Sequence, residues 1–224
     1  MLVHIILSIL LVAACFLQPH ESMAQTTTGQ WRFAVLLNGN PIGEHLYILT
    51  PQGKLLQVQS RAEMRVNFLF FEAFRYQHTA TELWQDNCLM SIESQTQNNN
   101  KMLKVSGSRA EESFRVQATE NDATLQGCVR SFAYWDRSSI VNATELLNSQ
   151  SGELMLVDVE AGNWETVEAA GLTWQAQKIS LIGHNLHIDL WYGPNGEWLK
   201  LRSTLPNDRE LDYQLLERPA SPLP

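Results

Sequence analysis

Histidine and aspartate side chains stand close together at one place in the sequence where a metal ion could be bound. His187 and Asp189 are two residues apart in an alternating segment, so in a β-strand both side chains would point to the same face. The residues between and beside them are apolar, so the pair occupies positions that any solvent-facing polar pair would take. His184 stands at a spacing that matches no zinc motif, and a site needs three or four ligands. The sequence therefore predicts neither a metal site nor a cofactor.

Residues for covalent or acid–base catalysis are also scarce. Nucleophilic catalysis requires a serine or cysteine beside a base, and the chain has no Gly-x-Ser-x-Gly motif. Glycoside hydrolysis requires two carboxylates that the fold brings together, and the acids with aromatic or apolar neighbours are Glu72, Asp136 and Asp189. Each of them is better explained as a structural carboxylate. We therefore assign no catalytic residue and favour a protein without enzymatic activity, with a hydrolase of envelope glycan or lipid as the alternative.

Aromatic side chains suggest where a ligand could be held. Residues 127–136, Gly-Cys-Val-Arg-Ser-Phe-Ala-Tyr-Trp-Asp, form either a structural corner, in which Asp136 could cap a short helix, or a rim that contacts a ligand. The apolar residues 69–74 are either the start of a buried strand or the lip of a cavity. Seven tryptophans either line such a cavity or fill the core. The candidate ligand-binding residues are Phe70, Phe74, Tyr134, Trp135, Asp136 and Trp191.

The elements that would position these residues are strands, because apolar and polar residues alternate along most of the chain. In one long run the apolar side chains share a face: Leu56, Val58, Ala62, Met64, Val66 and Phe68. The predicted strands are 31–35, 44–50, 75–85, 89–97, 102–108, 114–118, 153–160, 173–181, 186–192, 198–203 and 211–217. Such spacing is typical of sandwiches and barrels. We expect a mostly β fold, a single antiparallel meander that forms a curved sheet or half-open barrel.

One segment breaks the alternation and predicts a single short helix. Over residues 138–147, Ser138 or Ser139 could cap a helix, and the inner side would carry apolar residues. These apolar residues are Ile140, Val141, Leu146 and Leu147.

The N-terminus resembles an export signal. Residues 5–17 form an apolar run interrupted only by Ser8, which is too short for a membrane-spanning helix of about 20 residues. Small residues at Ser22 and Ala24 suit a signal peptidase, so residues 1–24 are predicted to be a cleaved signal peptide. As an alternative, residues 12–15, Val-Ala-Ala-Cys, fit a bacterial lipobox in which Cys15 would be acylated, and an uncleaved anchor also stays open.

The rest of the chain predicts a single β domain over residues 25–218 and a disordered tail over 219–224, because no linker or charge run divides it. No transmembrane span is expected in the mature chain. The formal net charge of −8 and the scattered basic residues disfavour nucleic acid as a partner. Oligomeric state is left open.

Two cysteines remain after removal of the leader, Cys88 and Cys128, and we expect a disulfide between them in an oxidising compartment. A bond closing a loop of 40 residues would stabilise the fold by about 4 kcal/mol in the chain-entropy model. Two separate buried thiols are the alternative.

Several motifs carry a resemblance to a known family. They are Trp31 to Phe33, Asn38-Gly39 with Ile42-Gly43, Phe74 to His78, Cys88-Leu89, Gly127 to Val129, Ser131 to Asp136, Leu146 to Asn148, Ile188 to Tyr192 and Trp198-Leu199. The chain resembles the bacterial secreted family called domain of unknown function 6134, most specifically in the Ser-Phe-Ala-Tyr-Trp-Asp stretch. The resemblance implies an exported location and a fold, and it transfers no catalytic residue. More loosely, the architecture is similar to periplasmic half-barrels that carry lipids or lipoproteins around a helix plug and an apolar cavity.

Together these features predict a non-enzymatic envelope protein, periplasmic or secreted, that binds a lipid or another apolar or amphipathic ligand in the concave face of a β half-barrel. A structural or interaction module of the cell envelope is a further hypothesis. An empty cavity in the folded interior would favour the binding protein over the structural module.

Overall fold

The structure is a computed structural model that describes residues 29–68 and 71–219. Within these ranges the chain is almost entirely β-strand, with one short α-helix and a 3-10 turn at Pro206–Asp208. The first strands are β1 Gly29–Leu37, β2 Asn40–Gln52, β3 Leu55–Phe68, β4 Phe71–Gln85, β5 Cys88–Asn98, β6 Lys101–Ala110, β7 Ser113–Ala118 and β8 Asp122–Gln126. After them come α1 Arg137–Val141, β9 Glu145–Leu147, β10 Leu154–Leu156, β11 Asp158–Ala169, β12 Leu172–Gly183, β13 Leu186–Tyr192, β14 Trp198–Leu205 and β15 Arg209–Glu217.

Thirteen of these strands form one antiparallel sheet in the order β11-β12-β13-β14-β15-β1-β2-β3-β4-β5-β6-β7-β8. Consecutive strands are joined as hairpins, except that β15 pairs with β1, which brings the two ends of the described chain together at the middle of the sheet. Among the described strands, β8 and β11 end the sheet and do not pair with each other. The predicted mostly β fold, an antiparallel half-open barrel, is confirmed.

The sheet curls around the segment 127–157, here called the inner segment. Within it, the carbonyl of Val129 accepts a hydrogen bond from Leu89 N–H on β5 at 2.8 Å, and the carbonyl of Tyr134 accepts one from the Tyr192 hydroxyl on β13 at 2.8 Å. These strands lie seven positions apart in the sheet, which would be about 34 Å in a flat sheet. The chain from Val129 to Tyr134, five residues, spans at most about 18 Å, which is too short to join the two strands across a flat sheet. The sheet must therefore be strongly curved, with the inner segment on its concave face.

The alternation seen in the sequence places one face of each strand inside. On β3, Val58, Ala62 and Met64 are buried, whereas Gln59 and Arg61 are exposed. At Gly43, on β2, the neighbouring strand passes so close that an added Cβ would lie 1.8 Å from the carbonyl oxygen of Glu63. Only glycine fits this approach.

The predicted helix over 138–147 is wrong in extent. Helix α1 ends at Val141, and the chain returns as strand β9, which pairs with β10 in a small two-stranded sheet. Leu146 and Leu147 are fully buried, as expected of the inner side of a helix, but they are buried by strand pairing and by packing against the core. The positions of the apolar residues in the sequence are therefore not sufficient to distinguish a short helix from a short strand in this segment.

The helix cap is also not one of the two predicted serines. Asp136 is the N-cap, and its carboxylate accepts hydrogen bonds from the backbone N–H of Ser138 at 2.9 Å and from the Ser138 hydroxyl at 2.8 Å. The Ser139 hydroxyl donates to the other carboxylate oxygen. The alternative prediction, that Asp136 caps the helix, is therefore confirmed.

Two strand predictions also differ from the structure. The predicted strand 153–160 is divided into β10 and the start of β11, separated by the buried Val157. Strand β8 was not predicted, because it has only five residues and most of them are polar.

The core lies between the concave face and the inner segment. Phe33 of β1 is fully buried against the indole of Trp198, with ring centroids 4.3 Å apart. The predicted disulfide is present, with the Cα atoms of Cys88 and Cys128 5.1 Å apart, and it ties the start of the inner segment to β5. In the part of the chain that the structure describes, no helix is long and apolar enough to cross a membrane.

Candidate functional site

A cavity of about 370 Å³ lies between the sheet and the inner segment, and we call it the inner cavity. Two small side chains, Ser60 and Ala80, line it from neighbouring strands, where they are directly paired. Larger inward-facing side chains flank them, among them Tyr47, His78 and Glu82. The small residues leave space that larger core residues would fill, which is why a cavity exists here.

Two neutral histidines line one side of the inner cavity. Nε2 of His45 lies 2.7 Å from the Ser60 hydroxyl, and Nδ1 lies 3.2 Å from the Tyr213 hydroxyl. Nδ1 of His78 lies 2.8 Å from the hydroxyl of Thr96. Burial lowers the pKa of His45 to about 3, with a smaller contribution from His78, and burial lowers the pKa of His78 to about 4. Both rings are therefore neutral near pH 7.

Glu82 is a buried acid on the same side of the cavity. Its carboxylate accepts a hydrogen bond from the indole N–H of Trp84 at 2.9 Å and another from the hydroxyl of Ser131 on the inner segment. Burial raises its pKa to about 6, and the two hydrogen bonds offset part of that shift. Glu82 therefore changes charge close to neutral pH.

The side of the inner cavity formed by β13, β14 and β15 is mostly apolar, and its polar residues are Asn185, Ser203 and Tyr213. Strands β13, β14 and β15 contribute aliphatic side chains that are buried or half-buried. They are Leu186, Ile188, Leu201, Leu205 and Leu211. The cavity lining thus combines a mostly aliphatic wall from β13–β15 with a hydrogen-bonding wall that includes His45, His78 and Glu82.

Tyrosine hydroxyls give the cavity further hydrogen-bonding capacity. Burial raises the pKa of Tyr134 and Tyr213 above the usual value, so both remain protonated. Among the described residues, the hydroxyls of Tyr76 and Tyr134 have no hydrogen-bond partner. They are available to a ligand.

A wider depression of about 1040 Å³ opens at the end of the barrel formed by the β2–β3, β4–β5 and β13–β14 turns. Trp31, Trp135 and Arg137 are among its lining residues. It is larger than the inner cavity, but the buried titratable groups line the inner cavity instead. We therefore regard the inner cavity as the candidate site.

The structure brings together only part of the predicted ligand-binding set. Tyr134 and Trp135 line the inner cavity. Trp135 also lines the wider depression, together with Asp136, whose carboxylate caps α1. Phe74 is half-buried on β4 and lines neither space, and Phe70 lies outside the described residues.

Trp191 lies away from both spaces. Its indole N–H donates to Glu165, and the ammonium of Lys200 lies 4.8 Å from the ring centroid. The side chain is buried by these neighbours at 6 % exposure. It packs in the sheet and does not line the site.

The hydrogen-bonding wall of the inner cavity was not predicted from the sequence, because its polar residues resemble surface residues there. His78 and Glu82 stand at even positions of β4, the same parity as the buried Ala80 and Trp84. His45 stands in the same relation to the buried Tyr47 on β2. A polar residue at an inward position of an alternating strand was the signal that could have identified them.

Two of the three acids considered for catalysis, Asp136 and Asp189, have structural partners, and the side chain of Glu72 lies outside the described part of the structure. Asp189 accepts a hydrogen bond from the Ser180 hydroxyl at 2.5 Å, and the ammonium of Lys178 lies 3.4 Å away. Asp136 caps α1. Across residues 29–68 and 71–219, no three His, Cys, Asp or Glu side chains are grouped so that they could hold a metal ion.

The chain matches the model of a known protein family. It belongs to the family described as domain of unknown function (DUF6134), whose profile matches residues 33–216, so the resemblance noted in the sequence is confirmed. No curated protein matches the chain.

Among solved structures, the fold is similar to the crystal structure of a beta-barrel-like protein of domain of unknown function DUF1849 from Brucella abortus. The TM-score is 0.64 at 10 % sequence identity, and the match covers 88 % of this chain and 98 % of that chain. At this identity the likeness concerns the fold, and it agrees with the open barrel described above.

Proposed function

We propose that the protein binds an amphipathic small molecule in the inner cavity and has no enzymatic activity of its own. The observation that carries this proposal is the division of the cavity lining into an aliphatic wall from β13–β15 and a hydrogen-bonding wall centred on β2 and β4. An acyl or alkyl chain would be stabilised by packing on the first wall, and a polar end would find donors and acceptors on the second. A volume of about 370 Å³ also lies in the usual range of ligand pockets, roughly 300–1,000 Å³.

We also propose that this binding takes place outside the cytoplasm, in the bacterial envelope. The composition of residues 1–24 supports export, and the Cys88–Cys128 disulfide is of the kind that persists in oxidising compartments. Mass spectrometry of the protein recovered from bacterial fractions tests this. We expect a mature chain that begins at Gln25, or at an acylated Cys15 under the lipoprotein alternative. An unprocessed chain in the cytoplasm would contradict export.

The binding proposal is tested with a brominated alkyl probe and the full-length chain, produced with its disulfide intact. Bromine quenches tryptophan fluorescence on contact, and Trp135 lines the cavity. We expect saturable quenching by bromo-octanol. Absence of saturable quenching would overturn the proposed function.

A matched pair of variants locates the binding. Ala80→Leu adds three carbons to a side chain that lines the cavity and should abolish saturable quenching, because it fills the space that the alkyl chain needs. Ala161→Leu makes the same change at an exposed position on β11 and should leave quenching unchanged. Equal binding by both variants would place the probe elsewhere. Leu211→Gln, on the apolar wall, serves as a second cavity variant if Ala80→Leu does not fold.

A further inference from the structure

We propose that the polar end of the ligand is a cation, an ammonium or alkylated ammonium group that lies beside Glu82 and the tyrosine rings of the inner cavity. This inference rests on the binding function proposed above and adds the chemical class of the head group. It follows from the charges and rings that line the cavity.

The first argument is the unneutralised acid. Glu82 is 7 % exposed, and its hydrogen bonds come from two neutral donors, Trp84 and Ser131. Among the described residues that line the cavity there is no lysine or arginine. A carboxylate held in this way is destabilised by burial, and an incoming cation would stabilise it more than any neutral group.

The second argument is the aromatic character of the lining. Six aromatic residues border the cavity: Tyr47, Tyr76, Phe132, Tyr134, Trp135 and Tyr213. The electron-rich faces of aromatic rings attract ammonium groups. One face of the Tyr47 ring stacks on His45, with the ring centroids 4.2 Å apart, so only its other face can take part. Aromatic rings beside a buried carboxylate favour a cation over an anion of the same size.

The third argument is that the other titratable groups do not oppose a cation. His45 and His78 are neutral near pH 7, as derived above, so neither repels an ammonium group. A phosphate or carboxylate head would be desolvated without a positive partner on any lining residue that the structure describes. The net charge of −8 also raises the local concentration of cations near the protein.

The experiment compares four probes with the same alkyl chain by calorimetry on the full-length protein near neutral pH: octylamine, octyltrimethylammonium, 1-octanol and octanoate. We expect both cations to bind at least about tenfold more tightly than 1-octanol, the gain typical of one buried charged interaction. Octanoate should bind most weakly. Equal affinity for all four, or tighter binding of octanoate, would overturn the inference while the binding function stands. Failure of all four to bind would overturn both.

Two variants with the same change of charge assign the effect to Glu82. Glu82→Gln should remove the preference for octylamine, so that octylamine and 1-octanol bind this variant with affinities within about twofold of each other. Glu93→Gln, at an exposed position on β5, should keep the full preference. A preference that survives in Glu82→Gln would contradict the role given to this carboxylate. If Glu82→Gln does not fold, the four-probe comparison on the unaltered protein decides by itself.

Discussion

The buried histidines make the stability of the fold sensitive to acid, and His78 allows this to be measured. Its pKa is about 4 in the folded protein because of burial, against 6.5 for an exposed histidine. A histidine with a lowered folded-state pKa contributes stability that is present above its unfolded pKa. That stability is lost as the pH falls through the folded value. The loss should therefore develop between pH 6.5 and 4.

The size of the effect follows from the difference between the two pKa values. It corresponds to about 3 kcal/mol once both states are protonated, and to about 2 kcal/mol at pH 5 compared with pH 8. His45 acts in the same direction, because burial lowers its pKa as well. Replacing one histidine should therefore remove part of the acid sensitivity and leave the rest.

The variant His78→Gln tests this. Its amide can still form a hydrogen bond with the hydroxyl of Thr96, the partner of His78, and it does not titrate. Urea unfolding, followed by tryptophan fluorescence at pH 8 and pH 5 with the disulfide intact, gives the free energy of unfolding. We expect the loss between the two pH values to be about 2 kcal/mol smaller in the variant than in the wild type.

The control is His184→Gln, which replaces an exposed histidine in the β12–β13 turn and should lose as much stability between the two pH values as the wild type. If His78→Gln also loses as much as the wild type, the burial argument for His78 is refuted.

Three further predictions concern single residues. Glu82→Gln should act in the opposite direction to His78→Gln. Burial raises the pKa of Glu82 to about 6, so the wild-type side chain stabilises the fold below pH 4.5, and this stabilisation is lost as the pH rises through 6. In the wild type, Glu82 should therefore contribute about 1 kcal/mol more to the free energy of unfolding at pH 5 than at pH 8. Unfolding experiments at the two pH values should show that this contribution is absent in Glu82→Gln. Asp136→Ala should lower the free energy of unfolding by about 1 kcal/mol through loss of the cap, whereas Asp136→Asn should retain most of it; equal losses would argue against capping. Gly43→Ala should prevent folding or reduce the melting temperature strongly, because the new Cβ overlaps the Glu63 carbonyl, and an unchanged melting temperature would contradict the close approach.

The sheet could be predicted because its physical cause is local. Alternation at period two in β3 identifies the buried Val58 and Met64 from neighbouring residues alone. The inner segment could not be predicted in the same way. Leu146 and Leu147 are buried by strand pairing with β10, and their sequence fits a short helix equally well.

The candidate site was harder to predict because it depends on strand register and curvature. His45 and His78 are far apart in the sequence, and both pair with Ala62 of β3, one from each side. The space beside them depends on the small Ser60 and Ala80, whose positions become meaningful only once the register is known. Tyr134 and Trp135 could be identified because aromatic density is visible in one segment.

The pairing of β1 with β15 has a consequence for biosynthesis. Strand β1 is made before β15 and remains without one of its neighbours until β15 has been made. Tyr213, which borders the cavity, also lies on β15. The sheet should therefore form its β1–β15 pairing late and fold slowly, since contacts between distant parts of a chain form late. A nascent chain that stops before Arg209 should be readily degraded by proteases.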